Sequence, residues 1–501
     1  MVFFTVFFVV YWAVRKRLAL QNCLLLLASY IFYGWWDWRF LSLIAVTTVS
    51  TYVTARLCVV SRPKLWTVLN IMVNVGILVA FKYFDFFSDT FVSLLSMCGW
   101  HVDGLTLNVL LPIGISFYTL QAVSYSIDVY RRTVQPCDNL ITFASFIAFF
   151  PQLVAGPIER ARELLPQISK PRKWDYDLAC SGAREMLWGL FKKIAIADVC
   201  ATYVDKIYDD PQSNALLLSI ASILFFIQIY CDFSGYCNIA RGVAAMLGVR
   251  LTVNFRYPLF ARNVADFWRR WHISLMSWFR DYIYIPLGGS KHGRVMTYTN
   301  IMIVFVLSGL WHGASWNYVL WGTLCGVAMV CGRMVSLKSY DRQDIPAPTP
   351  MQYAKMRATG VLIALLFVVF RLHDVSHAVD VIVRSAPVTL AFAVVAWLVL
   401  VVNRHMGRYT YVAVPVAVVM LFAALWTVGG LELISKWCVN GIFVASIIAV
   451  VVTEWRNRQY SFALEVLPQK HPLSQLMVYW LIIVVIFISN IGDTPFIYYQ
   501  F

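Results

Sequence analysis

The sequence predicts an all-α polytopic membrane protein, and three observations support this. Hydrophobic residues make up 60% of the 501 residues and charged residues only 13%, whereas soluble domains carry about a quarter charged residues. Apolar runs approaching the ~20 residues of a bilayer-spanning helix recur from end to end. Basic residues gather in short loops between these runs. We therefore expect about 11 to 14 spans, forming one membrane domain over residues 1–501.

The charge and cysteine content fit this class. A net charge of +15 suggests nucleic-acid binding in a soluble protein, but here the basic residues mark cytoplasmic loops, so nucleic acid is not an expected partner. The eleven cysteines form no CxxC pair, which favours buried apolar roles. Residues 1–14 lack a preceding basic region and a small-residue cleavage site, so we interpret them as a first span.

Charged residues at the ends of the apolar runs set the direction of each predicted span in the first half, and the N-terminus is predicted to be extracytoplasmic. The segment Ile141–Ala155 is too short to span and has basic residues on both sides, which predicts a re-entrant or interfacial helix. The spans predicted for this half are Val2–Val14, Cys23–Trp36, Phe40–Leu57, Leu65–Phe87, Val109–Val129, Cys180–Val204 and Leu216–Cys231.

The second half is less regular. Residues 255–295 are rich in arginine and contain no clean span, which predicts an amphipathic or re-entrant segment on the cytoplasmic side. Residues 338–357 are polar and proline-bearing, as expected of a cytoplasmic loop. This order places both termini outside. The remaining predicted spans are two within Tyr298–Arg333, broken near His312, and further ones near 358–371, 386–402, 410–428, 433–452 and Leu476–Ile491.

The stretch Asp266–Ile285 is predicted to form one amphipathic helix. At about 100° per residue its polar residues share one arc, and its aromatic residues suit a membrane interface. The arginines on the polar arc can gather an anionic donor. His272 lies on the apolar side, either as a partly buried core residue or as a ring facing a tunnel. The polar arc consists of Asp266, Arg269, Arg270, Ser274, Ser277, Arg280 and Asp281, and the aromatic arc of Phe267, Trp271, Leu275, Trp278 and Tyr282.

A histidine interrupts the apolar run "LSGLWHGASWNY". Gly309 and Gly313 have the GxxxG spacing that lets another helix approach closely. An intramembrane histidine such as His312 indicates a functional site, although a satisfied structural histidine is the alternative. The arm Tyr298–Trp311 is about 21 Å long against a core of about 30 Å, which predicts that His312 lies within the membrane.

The sequence contains no HExxH, GxSxG or Walker-type glycine motif. Metal-assisted hydrolysis, a serine nucleophile and an ATP-driven pump are therefore not favoured. One intramembrane imidazole, with a second histidine available, suits general-base activation of a hydroxyl.

Several longer motifs resemble the membrane-bound O-acyltransferase (MBOAT) superfamily, in particular its bacterial branch that acetylates alginate and related exopolysaccharides. The resemblance extends from "LLLLASYIFYGWW" (Leu24–Trp36) to "PFIYYQF" (Pro495–Phe501). The motifs that carry it are "SGLWHGASW" (Ser308–Trp316), "DFWRRWHISLMSWFRDYIYIPLGG" (Asp266–Gly289), "YCDFSGY" (Tyr230–Tyr236), "LPIGISFYTLQAVSYSIDVYR" (Leu111–Arg131) and "FFPQLVAGPIER" (Phe149–Arg160).

This resemblance implies a ring of membrane helices around a tunnel. It implies that the catalytic residues are His312, at the family's invariant histidine, and His272, at its second conserved polar position. Asp232 either orients a histidine, receives a positive partner or caps a helix. Trp311 and Trp271 either shape the tunnel or serve in packing. The tunnel and donor-binding residues implied are Asp232, Trp268, Arg269, Arg270, Trp271, Arg280, Ser308 and Trp311.

The resemblance also implies the reaction. An acyl group, most simply acetyl from acetyl-CoA, passes from the cytoplasm across the bacterial inner membrane to an extracytoplasmic polysaccharide, or to an acetyltransferase-like partner protein that modifies it. His312 acts as general base, or accepts the acyl group directly as a variant, with no bound cofactor and no metal. Two alternatives stay open: transfer of D-alanine from a carrier protein to teichoic acid, and a transporter or export channel with a proton-relay histidine.

Overall fold

The protein is described by a computed structural model that covers residues 2–100, 104, 106–107, 111–334, 348–372, 374–405, 436–465, 472–490 and 492. All regular elements in these ranges are helices, which confirms an all-α polytopic membrane protein. Within the described residues, six helices are long and apolar enough to span a membrane, and four shorter apolar helices accompany them. The six are Trp38–Val60, Pro63–Met97, Ala215–Met246, Gly293–His312, Pro350–Arg371 and Val375–Val395.

The chain folds into two compact units. The first contains Met1–Ala183 and Ala240–Thr252, and the second contains Arg184–Ile239 and Val253–Phe501. A single domain over residues 1–501 stays a prediction.

The first unit holds helices α1 to α9. The predicted short segment Ile141–Ala155 forms α7 and α8, which are buried from Thr142 onward and too short to span a bilayer. The nine helices are α1 (Val2–Ala13), α2 (Leu18–Gly34), α3 (Leu41–Val60), α4 (Pro63–Leu78), α5 (Phe84–Met97), α6 (Ile115–Tyr130), α7 (Leu140–Ile147), α8 (Phe150–Leu153) and α9 (Ala161–Ile168).

Later helices belong mainly to the second unit, whose boundaries with the first fall inside α10 and α12. They are α10 (Tyr176–Leu190), α11 (Val199–Tyr208), α12 (Ala215–Met246), α13 (Val264–Arg270), α14 (Ile273–Phe279), α15 (Gly293–His312), α16 (Trp316–Met334), α17 (Pro350–Arg371), α18 (Val375–His405), α19 (Lys436–Arg456) and α20 (Pro472–Ser489).

A buried charge cluster lies in the second unit. A π-helical turn, Phe191–Asp198, joins α10 to α11 and carries adjacent lysines. Lys192 Nζ lies 3.7 Å from Glu454 Oε1. Lys193 Nζ lies 2.7 Å from Asp198 and 2.6 Å from Asp232. Asp232 is therefore the receiver of a positive partner in the middle of α12, and the helix-cap alternative is wrong.

The predicted single helix Asp266–Ile285 is wrong. The chain breaks between α13 and α14, where Trp271 is extended and His272 has a left-handed backbone with φ of 45°. The proposed polar arc therefore does not exist, and Asp266 and Arg270 are buried. No proline or glycine marks this break, so helical periodicity alone could not reveal it.

The break after His312 is confirmed, because α15 ends there and α16 begins at Trp316. The arm length used to predict the depth of His312 is wrong, however, and its position within the membrane stays a prediction. Helix α15 begins at Gly293 and has 20 residues, so it is about 30 Å long and matches the whole hydrocarbon core.

Other boundaries also shift. Helix α17 begins at Pro350, so the end of the predicted loop 338–357 is helical, while residues 335–347 lie outside the described ranges. The predicted span 410–428 and the terminal motif Pro495–Phe501 also lie outside them. The predicted span 386–402 is part of the longer α18.

Candidate active site

His312 closes a tight helical hairpin formed by α15 and α16. A Cβ atom on Gly309 would lie 2.1 Å from the carbonyl oxygen of Tyr318 and 3.2 Å from the Cα atom of Gly322. This confirms close helix packing at Gly309. Gly313 is also expected to let a helix backbone approach, but its missing side chain instead leaves room for the ring of Tyr318.

The His312 ring is buried within an aromatic cage. Its centroid lies 5.0 Å from Trp311, 5.2 Å from Trp321 and 5.4 Å from Phe370, in near-perpendicular edge contacts. The cage is built by α15, α16 and α17. Ser308 is also buried, one turn before His312 on α15.

His272 lies at the break between α13 and α14 and is fully enclosed. Its ring contacts Phe233 at 4.7 Å and Trp311 at 5.9 Å between centroids. Its Nδ1 atom lies 3.2 Å from Asn254 Oδ1. Burial lowers the pKa of His272 to about 3, so the imidazole is neutral near pH 7.

Both predicted catalytic histidines therefore contact one indole. They are 40 positions apart in sequence, and the fold brings His272 and His312 against Trp311. Sequence reasoning did not predict this juxtaposition, because it depends on how the break at His272 packs beside the end of α15.

The other two predicted tryptophans pack within the same aromatic region. Trp268 contacts Phe305 at 5.3 Å and Trp321 at 5.9 Å between ring centroids. Trp271 contacts Phe367 at 5.2 Å. These contacts give Trp268 and Trp271 a packing role, and their contribution to a tunnel wall stays a prediction.

The arginines predicted to bind a donor fall into two groups. Arg270 is buried, and its Nε atom lies 2.9 Å from Asp266 Oδ1. Its charge is thus compensated within the fold. Arg269 and Arg280 are exposed, and Arg280 pairs with Asp281 at 2.8 Å. Of the three, only Arg269 and Arg280 present a charge to the surface.

Sequence reasoning missed several residues near the site. Tyr230 donates a hydrogen bond of 2.8 Å to Glu454, and its ring lies 6.4 Å from that of Trp271, which connects the charge cluster to the aromatic region. Lys192 lies within the predicted span Cys180–Val204, so the rule that intramembrane charges are functional candidates would have selected it, whereas Glu454 lies just beyond the predicted span 433–452. No sequence signal points to Asn254.

The geometry defines a helical membrane protein with two buried histidines against one tryptophan, and comparisons with known proteins assign its family. Residues 30–342 match the model of the MBOAT, membrane-bound O-acyltransferase family. The chain is 36% identical over 381 residues to the probable alginate O-acetylase AlgI of Pseudomonas aeruginosa, covering 75% of this chain and 71% of the relative.

Two further relatives carry other names. A peptidoglycan O-acetyltransferase of Helicobacter pylori is 35% identical over 343 residues, with 62% of this chain and 64% of the relative covered. A teichoic acid D-alanyltransferase of Bacillus subtilis is 29% identical over 234 residues, with 45% and 59% covered. The chain therefore belongs to the membrane-bound O-acyltransferase family and is a multi-pass O-acyltransferase.

Proposed function

We propose that this protein transfers an acetyl group from a thioester donor to a hydroxyl group of an extracytoplasmic polysaccharide, or of a partner protein that then modifies the polysaccharide. The bacterial inner membrane is the proposed location. Similarity to O-acetylating relatives supports the acetyl group and the polymer acceptor. Acetyl-CoA is the proposed donor, docking at a cytoplasmic face that presents Arg269 and Arg280.

The observation that carries the proposal is the pair of buried histidines on Trp311 at the end of α15. In the proposed step, a nitrogen of His312 accepts the proton of the acceptor hydroxyl while its oxygen attacks the thioester carbonyl carbon. The tetrahedral intermediate collapses, the carbon–sulfur bond breaks and an ester remains. The imidazolium returns the proton to the leaving thiolate, which departs as a thiol.

His272 suits a second role because burial keeps it neutral. A neutral imidazole offers one nitrogen that accepts a hydrogen bond and one that donates. We assign it the orientation of the acceptor hydroxyl or the thioester beside His312. The aromatic surroundings exclude bulk water, which strengthens such hydrogen bonds.

The test is acetyl transfer in membrane vesicles that contain the protein, labelled acetyl-CoA and acceptor. We expect His312→Ala and His272→Ala each to lose about 10²- to 10⁴-fold in rate, the usual contribution of a positioned acid or base. His377→Ala is the matched control, because His377 is exposed on α18 and should behave like wild type. Wild-type turnover in the His312 variant would refute the mechanism.

The similarity to a D-alanyltransferase favours a second candidate, transfer of D-alanine from a carrier protein to teichoic acid. Competition separates the two: excess CoA should inhibit an acetyl-CoA enzyme, whereas an acyl carrier protein should inhibit the alternative. A transporter with a proton-relay histidine instead predicts substrate flux without thioester consumption, and membership of an O-acyltransferase family disfavours it.

A further inference from the structure

Asn254 contacts the ring of His272 through its side chain, and it contacts the next residue, Ile273, through its backbone. Its Oδ1 atom lies 3.2 Å from His272 Nδ1, 3.1 Å from the backbone nitrogen of Ser274 and 2.9 Å from Ser274 Oγ. Its backbone oxygen accepts a bond of 2.9 Å from the Ile273 nitrogen. Asn254 therefore holds the chain on the C-terminal side of the break and the ring at the break.

These contacts determine which atom of the Asn254 amide faces His272. The Ser274 backbone N–H can only donate, so the amide atom that it contacts must be the oxygen. On the other side, Asn254 Nδ2 lies 3.4 Å from Cys237 Sγ, where it donates to a weak sulfur acceptor. An amide oxygen cannot donate, and so the hydrogen between Asn254 and His272 must belong to His272 Nδ1.

We propose that Asn254 is a positioning residue that fixes the tautomer of His272, with the proton on Nδ1 and the lone pair on Nε2. In a neutral imidazole only one nitrogen can accept a hydrogen bond, so Nε2 is the nitrogen of His272 that accepts one. A histidine whose tautomer is fixed by the partner of its other nitrogen is a recurrent device in enzymes. This inference rests on the proposed role of His272.

The local backbone supports the assignment. His272 has a positive φ of 45°, which is unfavourable for a residue with a side chain unless the surroundings impose it. The bond from Ile273 N to Asn254 O and a second one of 2.9 Å, from Arg256 N to Arg270 O, flank the break on both sides. The segment 254–256 thus fixes the backbone at His272, while the Asn254 side chain fixes the ring.

The direct test is nitrogen-15 NMR of the wild-type protein in vesicles, with labelled histidine and the His272 signals assigned by their loss in His272→Gln. Protonated and unprotonated ring nitrogens resonate at distinct positions. We expect protonated Nδ1 and unprotonated Nε2 in His272. The opposite tautomer would overturn the inference, whatever the activity of any variant.

Variants test the consequence for catalysis. Asn254→Leu removes the acceptor at similar volume and should lose about 10²-fold in rate, the cost of misplacing a reacting group by about 1 Å. Asn254→Asp keeps an acceptor oxygen and should restore most of the rate and the Nδ1 proton. Asn300→Leu is the matched control, because Asn300 is also buried and its amide donates to the carbonyl groups of Leu287 and Gly289.

A double variant separates this inference from the proposed function. If Asn254 acts through His272, then Asn254→Leu should cost little further activity in the His272→Ala background. Full additivity there would overturn the inference. Wild-type activity of His272→Ala alone would instead refute the proposed role of His272, and the tautomer measurement would still decide whether Asn254 fixes it.

Discussion

Substitution of Gly309 by alanine tests whether the α15–α16 hairpin positions His312. The added Cβ would lie 2.1 Å from the carbonyl oxygen of Tyr318 and 3.0 Å from its carbonyl carbon. Comfortable contacts between such atoms are about 3.5 Å, so the helices must separate locally by about 1 Å or more. Because the opposing atoms are backbone, no side chain can rotate away.

The change in the free energy of unfolding follows from two opposing effects. Overpacking of this kind destabilises by about 1–3 kcal/mol, while alanine in a helix is favoured over glycine by about 0.5–1 kcal/mol. We expect net destabilisation of about 1–2 kcal/mol and a lower apparent melting temperature in detergent. Separation also displaces Trp321 from the His312 ring, now 5.2 Å away. A shift of about 1 Å at a reacting group can cost about 10²-fold in rate.

The assay pairs thermal unfolding with acetyl transfer, and Gly360→Ala is the matched control. Gly360 lies inside α17, and its Cβ would meet nothing within 4 Å, so that variant should gain up to about 1 kcal/mol of stability with unchanged activity. If Gly309→Ala were as stable and active as Gly360→Ala, the role of the hairpin in positioning His312 would be refuted.

Two further predictions concern buried charges. Lys192→Met leaves Glu454 buried without its lysine and should destabilise the protein by about 3–5 kcal/mol. The double variant Lys192→Met with Glu454→Leu should recover most of this loss. If thermal unfolding shows that the effects of the two substitutions simply add, the coupling between Lys192 and Glu454 is contradicted. Burial raises the pKa of Glu159 from 4.5 to about 7, although Thr252 donates two hydrogen bonds to its Oε1 atom. The folded state then holds a proton on Glu159 that the unfolded state releases. The contribution of Glu159 to stability is therefore fully present below pH 4.5 and is lost as the pH rises towards 7. Glu159→Gln should remove this part of the pH dependence of the melting temperature, and an unchanged pH dependence would exclude Glu159 as its source.

Much of the site could be predicted from residue types. A histidine between glycines in an apolar run indicated His312, and the GxxxG spacing indicated the close approach at Gly309, because both signals are local in sequence. Lys192 and Lys193, within the predicted span Cys180–Val204, carried a similar signal that the prediction did not use. Asn254 carried none, because a polar residue in a loop becomes functional only through the neighbour that it meets.

The sequence by itself determined the class of the protein. Apolar length, sparse charge and basic loops require a helical membrane protein, since backbone polar groups must be satisfied within each segment in lipid. The motifs that resemble the family are likewise continuous stretches of sequence.

Only the tertiary structure decided the arrangement of the site. The break at His272 arises where residues 254–256 bond to both sides of it, although the amphipathic pattern favours an unbroken helix. The approach of His272 and His312 to Trp311 depends on packing between segments 40 residues apart. Such contacts are set by shape complementarity in a close-packed interior, which local sequence does not encode.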